Sequence, residues 1–366
     1  MKKALALLYS PKTLVDFIWY YHTFGQEYAW DVICVPCGGK VLIEKYCINS
    51  GVFSNVYVSE PIYKSMSMGR MAVLFGKMTI AWITKKKSQF VQSYFKKYVE
   101  NLDYDLHLVP SEFSALCGFL ISLSSEVETV ILEDGLADYV DKSRRFLLKY
   151  GFNLKNISSY FLSIMGYGYG VGQPHYINKP SSLCIKYVAH PEWMLYRKYK
   201  EIKILGDLSN TNIDAWKKCL QKTFHIDKNR KFVGDIILFT APLADLSDML
   251  SQKIADDVVQ YIIYKYNPKK IYIKRHHRDI MKYNFPQTVE VDEIEKDMPG
   301  ELILNLIQCK KHIYTYPSTM LVNYKEYSNC EILKFRKLII QKKEYEVSFE
   351  ESIQQIKFPY QCINIL

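Results

Sequence analysis

Short apolar runs alternate with longer amphipathic stretches along the first half of the chain. Each run ends in a turn or a polar residue, as buried parallel strands do. Segments with a helical period lie between them, so this half predicts a βαβ series and an open, doubly wound sheet. The predicted strands are ALALLYS, AWDVICVPC, VFSNVYV, DLHLVPS and ETVILED, beginning at residues 4, 29, 52, 105 and 128.

Residues 11–25 form the first predicted helix of this series. Ser10 precedes it as the N-cap, Pro11 takes its first position and Gly25 ends it. Further helices are predicted over residues 69–82 and 85–102. These segments supply the crossovers that a parallel sheet requires.

The second half of the chain repeats the alternation after a charged, helical stretch. Strands are predicted at 234–242, 269–277 and 311–318, with helices at 256–266 and 300–307. An amphipathic segment, 348–358, closes the chain and begins with a capping box. We therefore predict an α/β protein with two Rossmann-like domains facing across a cleft. The predicted parts are a first domain over 1–190, a helical linker over 191–233, a second domain over 234–345, and a C-terminal helix and tail over 346–366.

Charge and cysteine usage narrow the class of protein. The formal net charge is +10, which favours anionic partners such as phosphorylated ligands, acidic glycans or lipid headgroups. Nine irregularly spaced cysteines indicate a reducing compartment, and the Cys34–Cys37 pair lacks the second pair that a zinc ribbon needs. No segment has the length of apolar sequence that a membrane span requires. We expect a cytoplasmic protein.

The triplet Glu133-Asp134-Gly135 comes directly after the predicted strand ETVILED. At the carboxyl end of a buried strand, these carboxylates would project into the cleft. Adjacent carboxylates crowd one another, so at least one should hold its proton more tightly, which suits a general base for a hydroxyl. The alternative is an acidic turn that caps a helix.

Two further clusters follow strands in the second half. The cationic run from Lys274 to Arg278 contains His276 and His277 and suits a phosphate, although it could also be a solvated basic turn. Ser318 and Thr319 follow the strand KHIYTYPS, where hydroxyls and helix N-terminal amides can bind a phosphate. An ordinary helix N-cap is the alternative there.

The order of these clusters resembles that of the bacterial sialyltransferases of the GT-B type. Their D/E-D/E-G, HP and S-S/T motifs correspond to Glu133-Asp134-Gly135, His276-His277 and Ser318-Thr319. The resemblance is strongest to the lipooligosaccharide sialyltransferases of glycosyltransferase family 52 and to the capsular polysialyltransferases. The segments LLYSPKTLVDF, ILFTAPL and MPGELIL also resemble that family, in the same order. The resemblance implies a GT-B architecture.

The resemblance also implies roles for individual residues. Glu133 would deprotonate the acceptor hydroxyl, with Asp134 supporting or replacing it. His276 would meet the phosphate of a CMP leaving group and protonate it, and Glu301 would contact the cytidine ribose. The predicted substrate-binding residues are Ser10, Gly135, Thr240, Lys274, His277, Glu301, Ser318 and Thr319.

Two motifs depart from the family pattern or compete with it. The second family motif ends in proline, where this chain has His277, which bears on the choice of donor sugar. His190-Pro191 is a true His-Pro, but it precedes the first strand of the second domain, so His276 is the better candidate.

Asp103-Tyr104-Asp105 precedes a strand and is interpreted as a solvated turn, so no metal and no cofactor are predicted.

The predicted activity is metal-independent, inverting transfer of a sialic or related nonulosonic acid from a CMP donor to a capsule or lipooligosaccharide. The alternatives are a UDP-hexose transferase on the same scaffold and a nucleotide-sugar epimerase or hydrolase. The scattered lysines argue against nucleic acid. The expected partners are the nucleotide-sugar donor and a glycan or lipid-linked glycan acceptor. A homodimer is compatible with the sequence.

A basic, aromatic helix bears on whether the protein contacts the inner membrane. Phe90, Tyr94 and Tyr98 recur four residues apart in KKKSQFVQSYFKKYV, among several lysines. This pattern suits peripheral attachment to a membrane surface or an acidic glycan. The alternative is an amphipathic helix that packs its aromatic side chains inward.

Overall fold

The chain folds into two compact units, Met1–Ile226 and Asp227–Leu366. They are seen in a computed structural model. The structure describes residues 1–36, 43–60, 68–112, 115–133, 165, 167, 182–194, 199–227, 229–240, 248–276, 279–296, 298–303, 306–315, 330–335 and 361–365.

The first unit is built on a parallel sheet of seven described strands. They are β1 (Lys2–Leu8), β2 (Tyr28–Cys34), β3 (Phe53–Val58), β4 (Leu106–Val109), β5 (Glu128–Ile131), β6 (Ile185–Val188) and β7 (Glu201–Ile204). Their order in the sheet is β3-β2-β1-β4-β5-β6-β7. The order reverses between β1 and β4, which is the topological switch point of a Rossmann-like sheet.

The described helices of the first unit are α1 (Pro11–Tyr20), α2 (Glu44–Ser50), α3 (Met68–Ile83), α4 (Lys87–Phe95), α5 (Ala115–Ile121) and α6 (Ile213–Phe224). Ser10 is the N-cap of α1, as predicted. Its hydroxyl accepts from the Thr13 amide at 3.2 Å, and the Thr13 hydroxyl accepts from the Ser10 amide at 3.1 Å. A π-helical turn, Tyr21–Gly25, ends the helix where Gly25 was expected to end it.

The core of the first unit lies where α4 and α5 cover the sheet. Strand residues such as Leu5 and Leu7 pack there with Phe95 and Phe119 from the helices. The α4 aromatic residues Phe90, Tyr94 and Tyr98 are partly buried and pack against the same cluster. The structure thus shows the inward-packing alternative for this helix, because its rings are drawn into the core.

The second unit repeats the topology of the first. Its described strands are β8 (Phe232–Phe239), β9 (Lys270–Lys274), β10 (Glu290–Ile294), β11 (Ile307–Tyr314), β12 (Cys330–Phe335) and β13 (Gln361–Ile365). They form a parallel sheet in the order β10-β9-β8-β11-β12-β13, with its switch point between β8 and β11. The described helices are α7 (Asp248–Tyr266) and α8 (Gly300–Ile303).

The segment 191–233, predicted as a helical linker, has a different structure. Residues 201–204 form β7, which pairs with β6, and α6 packs against α1 and α2 of the first unit. The division between the units falls at residues 226 and 227 instead. The sequence pattern did not predict β7, because the charged residues Glu201 and Lys203 interrupt its apolar residues. An edge strand does not need a continuous apolar run.

The end of the chain also differs from the prediction. The helix predicted over 300–307 is only α8, because β11 begins at Ile307. The predicted C-terminal helix, 348–358, lies outside the described residues. Residues 361–365, expected to be a tail, form β13 and extend the sheet beside β12.

Candidate active site

Parallel strands place several polar residues on the same edge of the first sheet. Ser10 follows β1, Glu112 follows β4, Glu133 follows β5 and Ala189 follows β6. Because all these strands run in one direction, their carboxyl ends share an edge, and this edge contains the switch point. Ligands of open α/β sheets bind at such edges.

Glu133 is held tightly within this edge. Its side chain is fully buried, and Oε2 accepts a hydrogen bond of 2.6 Å from the backbone amide of Ala189. The carboxylate therefore connects the ends of β5 and β6. The carboxylate is turned toward the neighbouring strand end, and the predicted role of Glu133 in a cleft stays a prediction. Asp134 and Gly135 lie outside the described residues.

Two lysine ammonium groups bind the backbone at the base of the acidic turn. Lys186, a fully buried residue of β6, donates from Nζ to the Leu132 carbonyl at 2.9 Å. Lys12, in the first turn of α1, donates to the Glu133 carbonyl at 3.3 Å and pairs with Asp16 at 2.6 Å. Sequence analysis missed Lys186, although a lysine within the apolar run LCIKYV was a signal.

A second buried acid lies on the same edge and was also missed. Glu112 is nearly fully buried, and its Oε2 accepts a hydrogen bond of 2.5 Å from the Tyr199 hydroxyl. The Lys186 ammonium lies 6.0 Å from the centroid of the Tyr199 ring. This edge therefore combines buried carboxylates with a buried cation.

His190 of the competing His-Pro motif belongs to this edge as well. It follows β6 in the first unit, and its Nδ1 lies 2.9 Å from Glu192 Oε1. The structure confirms that this histidine lies outside the second unit. The choice of His276 over His190 stays a prediction.

The carboxyl edge of the second sheet brings two predicted residues together at the ends of β8 and β9. Thr240 follows β8 and His276 follows β9, and Thr240 Oγ1 accepts from the His276 backbone amide at 3.1 Å. The Thr240 amide in turn donates to the Lys274 carbonyl at 3.1 Å. Thr315, directly after β11, donates from its amide to the Phe239 carbonyl at 3.0 Å. Thr315 was missed, although it lies three residues before the predicted Ser318.

The cationic run does not present all its charges to a ligand. Lys274 is largely buried, and its ammonium donates to the backbone carbonyls of Arg275 at 2.9 Å and Lys296 at 3.0 Å. Arg275 pairs with Glu293 at 2.7 Å and lies over the Tyr283 ring. These two side chains bind residues around the end of β9, and the substrate-binding role of Lys274 stays a prediction.

Asp279 completes the turn that follows His276. Its amide donates to the His276 carbonyl at 2.9 Å, and its buried carboxylate accepts from the Met281 amide at 3.1 Å. Burial, with a smaller effect of the Asp279 charge, raises the pKa of the nearby Tyr283 phenol well above its usual value. A neutral phenol therefore lies beside the turn.

Several predicted residues cannot be placed by their side chains. His277, Ser318 and Thr319 lie outside the described residues. The backbone of Glu301 lies in α8, between β10 and β11, and its side chain is outside the described part. Their roles remain predictions.

A family model decides the class of protein. The model described as Glycosyltransferase family 52 matches residues 116–337, which is more than half of the chain. The chain belongs to glycosyltransferase family 52. The matched range contains the acidic turn, His276 and the Ser318-Thr319 pair. The protein is a glycosyltransferase, and its two Rossmann-like units are those of the GT-B class.

Comparison with solved structures finds glycosyltransferases and a UDP complex at low sequence identity. The Arabidopsis thaliana enzyme UGT89C1 with UDP-L-rhamnose is 9% identical, with 93% of this chain and 83% of that chain covered and a TM-score of 0.44. The glycosyltransferase of kitacinnamycin is 10% identical, with 100% and 86% covered and a TM-score of 0.49. S. aureus MnaA with UDP is 12% identical, with 98% and 92% covered and a TM-score of 0.44. No curated protein sequence matches the chain significantly.

Proposed function

We propose that this family 52 enzyme transfers a sialic acid or related nonulosonic acid from a CMP-activated donor to a bacterial cell-surface glycan. The acceptor is a capsule or a lipooligosaccharide, and the transfer inverts the anomeric carbon without a metal. The observation that carries the proposal is the hydrogen bond between the His276 amide and the Thr240 hydroxyl, beside the switch point of the second unit. A family 52 enzyme with an imidazole at this position is suited to a leaving group with one phosphate.

The donor half of the proposed reaction uses the second unit. The anomeric C–O bond to CMP breaks, and the phosphate oxygen takes the bonding electrons. The hydrogen bond to Thr240 fixes the His276 backbone at the end of β9, so that the imidazole can donate a proton or a hydrogen bond to that oxygen. Ser318 and Thr319 bind the same phosphate, and Glu301 binds the ribose.

The acceptor half uses the acidic turn of the first unit. A carboxylate takes the proton of the acceptor hydroxyl as its oxygen attacks the anomeric carbon. Glu133 is buried and already accepts from the Ala189 amide, which favours Asp134 for the proton transfer. Glu133 then positions the turn, while Lys186 and Lys12 hold its backbone.

The donor class is tested by thermal unfolding with CMP, UDP, GDP or no nucleotide. Wild type should be stabilised by CMP, by about 2.7 kcal/mol at a hundred times the dissociation constant. His276→Ala should lose this stabilisation. His225→Asn is the matched control, because His225 is exposed in the first unit and its left-handed backbone tolerates asparagine. Stabilisation by UDP in place of CMP would favour a UDP-hexose transferase and refute the CMP donor.

Amide substitutions distinguish the proposed roles of the Glu133 and Asp134 carboxylates. Glu133→Gln retains an oxygen that can accept from the Ala189 amide, so it should keep measurable transferase activity. Asp134→Asn cannot take a proton and should lose activity by at least a hundredfold, a typical contribution of a general base. The opposite result, an inactive Glu133→Gln and an active Asp134→Asn, would assign the base to Glu133.

A further inference from the structure

Helix α3 has one face in the core and an apolar face in solvent. Leu74 and Met78 belong to the core cluster of the first unit. On the opposite side, Val73, Ile80 and Ile83 are 59%, 63% and 67% exposed. At 100° per residue these three side chains share one side of the helix, because they lie seven and ten positions apart.

The composition of this face is unusual for a surface helix. Ala72 and Gly76 are also exposed on it, and Lys77 lies at its border. Trp82 is 45% exposed but lies on the other side of the helix, closer to Met78 than to the stripe. Single exposed apolar residues are common, but a contiguous apolar stripe over several turns marks an interaction surface.

The positive charges next to this apolar stripe favour an anionic partner. Lys85 and Lys86 follow the helix and are exposed, and Lys96 and Lys97, which follow the last residue of α4, are exposed too. The Lys97 ammonium lies over the ring of Tyr94, 4.3 Å from its centroid. Apolar side chains bordered by lysines suit the interface of an anionic bilayer, where the lysines reach the headgroups.

A second copy of the chain fits this surface less well. A symmetric contact brings the same patch of both copies together. The stripe would then bury Lys77 and the neighbouring lysines close to their own copies. No acid on the described stripe offsets this repulsion, since the exposed positions there are apolar, glycine or lysine.

We propose that the exposed face of α3, from Val73 to Ile83, binds the surface of an anionic lipid bilayer. The helix lies in the plane of the membrane, with Ile80 and Ile83 at the acyl boundary and Lys85 and Lys86 at the headgroups. None of the described helices combines the length and apolar character needed to cross a membrane. The inference is independent of the donor nucleotide, and it would hold the enzyme beside lipid-linked acceptors.

The proposal is tested by flotation of the full chain with two kinds of vesicle, phosphatidylcholine alone and phosphatidylcholine with phosphatidylglycerol. Wild type should float with the anionic vesicles and release them as the salt concentration rises. Ile80→Asn with Ile83→Asn should weaken binding tenfold or more, because both side chains leave the acyl boundary. Lys85→Gln with Lys86→Gln should weaken binding to the anionic vesicles only.

Ile48→Asn is the matched control, because Ile48 is a 60% exposed helical isoleucine of the same unit that lies outside the stripe. It should bind vesicles as wild type does. Thermal unfolding without lipid shows whether each variant is folded, and nucleotide-dependent stabilisation tests the donor site separately. Failure of wild type to bind anionic vesicles, or unchanged binding by the double isoleucine variant, would overturn the proposal. A wild-type dimer that the same variant dissociates would assign the stripe to a second copy instead.

Discussion

A buried histidine makes the first unit sensitive to acid. His107 lies in β4, and its imidazole is fully buried beside Tyr104. Burial lowers its pKa to about 3. Neither ring nitrogen has a hydrogen-bond partner among the described residues. The folded state therefore keeps this ring neutral at pH values where the unfolded chain already binds a proton.

The size of the effect follows from the two pKa values. The unfolded imidazole takes up its proton near pH 6.5, and the folded one only near pH 3. Between these values the unfolded state binds more protons, so the free energy of unfolding falls as the pH falls. At pH 5, one and a half units below the unfolded value, the loss is about 2 kcal/mol at 1.36 kcal/mol per unit. Carboxylates add little there, because most titrate below pH 5.

Tryptophan fluorescence follows the unfolding of the first unit, because all five tryptophans lie before residue 227. Urea unfolding of wild type and His107→Leu would be measured at pH 8 and pH 5. We expect His107→Leu to lose about 2 kcal/mol less than wild type between these pH values. His225→Asn, which removes an exposed histidine, should keep the wild-type pH dependence. An equal loss in His107→Leu and wild type would refute the reasoning.

Three further substitutions test individual contacts. Ser10→Ala should lower the free energy of unfolding by about 1 kcal/mol in urea titrations, because it removes the capping box with Thr13, whereas Ser10→Asn should restore most of it. Lys186→Met should lower kcat/KM, because the ammonium that holds the Leu132 carbonyl at the start of the acidic turn is lost. A reduced stability with unchanged kcat/KM would leave Lys186 a purely structural role. Asp235→Asn should cost about 1 kcal/mol at pH 7 after allowance for partial exposure, since a lysine hydrogen bond and two backbone amides lower the Asp235 pKa to about 2. This difference is present above about pH 4 and should vanish as the pH falls toward 2, because protonation then removes the charge in both states.

Charged residues explain why the sequence pattern did not predict two of the edge strands. β1 reads as an apolar run because it lies inside the sheet with neighbours on both sides, and its residues from Ala4 to Leu8 are fully buried. β7 and β10 are edge strands, and their sequences EIKI and EVDEI carry charges because much of each strand faces solvent. Charge at an edge protects against unwanted pairing but removes the signal that identifies a strand.

Residue type and position in the chain indicated the edges of the sheets, but not the direction of each side chain. The rule that ligands bind at carboxyl ends predicted His276 at the edge of the second sheet, where the structure joins it to Thr240, a residue that only the resemblance had indicated. The same rule could not show that the Lys274 stem folds back to bind two backbone carbonyls, or that Glu133 turns toward Ala189. Such contacts depend on the loops of neighbouring strands, which are far apart in sequence.

The two edges differ in chemistry in a way that fits the proposed division of the reaction. The described edge of the first unit contains buried carboxylates, Glu112 and Glu133, with the buried Lys186 beside them. The described edge of the second unit contains the hydroxyls of Thr240 and Thr315 with His276. Activation of an acceptor hydroxyl needs a carboxylate, whereas the departure of a phosphate needs hydrogen-bond donors. If the units divide the reaction in this way, substitutions on the first edge should impair transfer while CMP still stabilises the second unit.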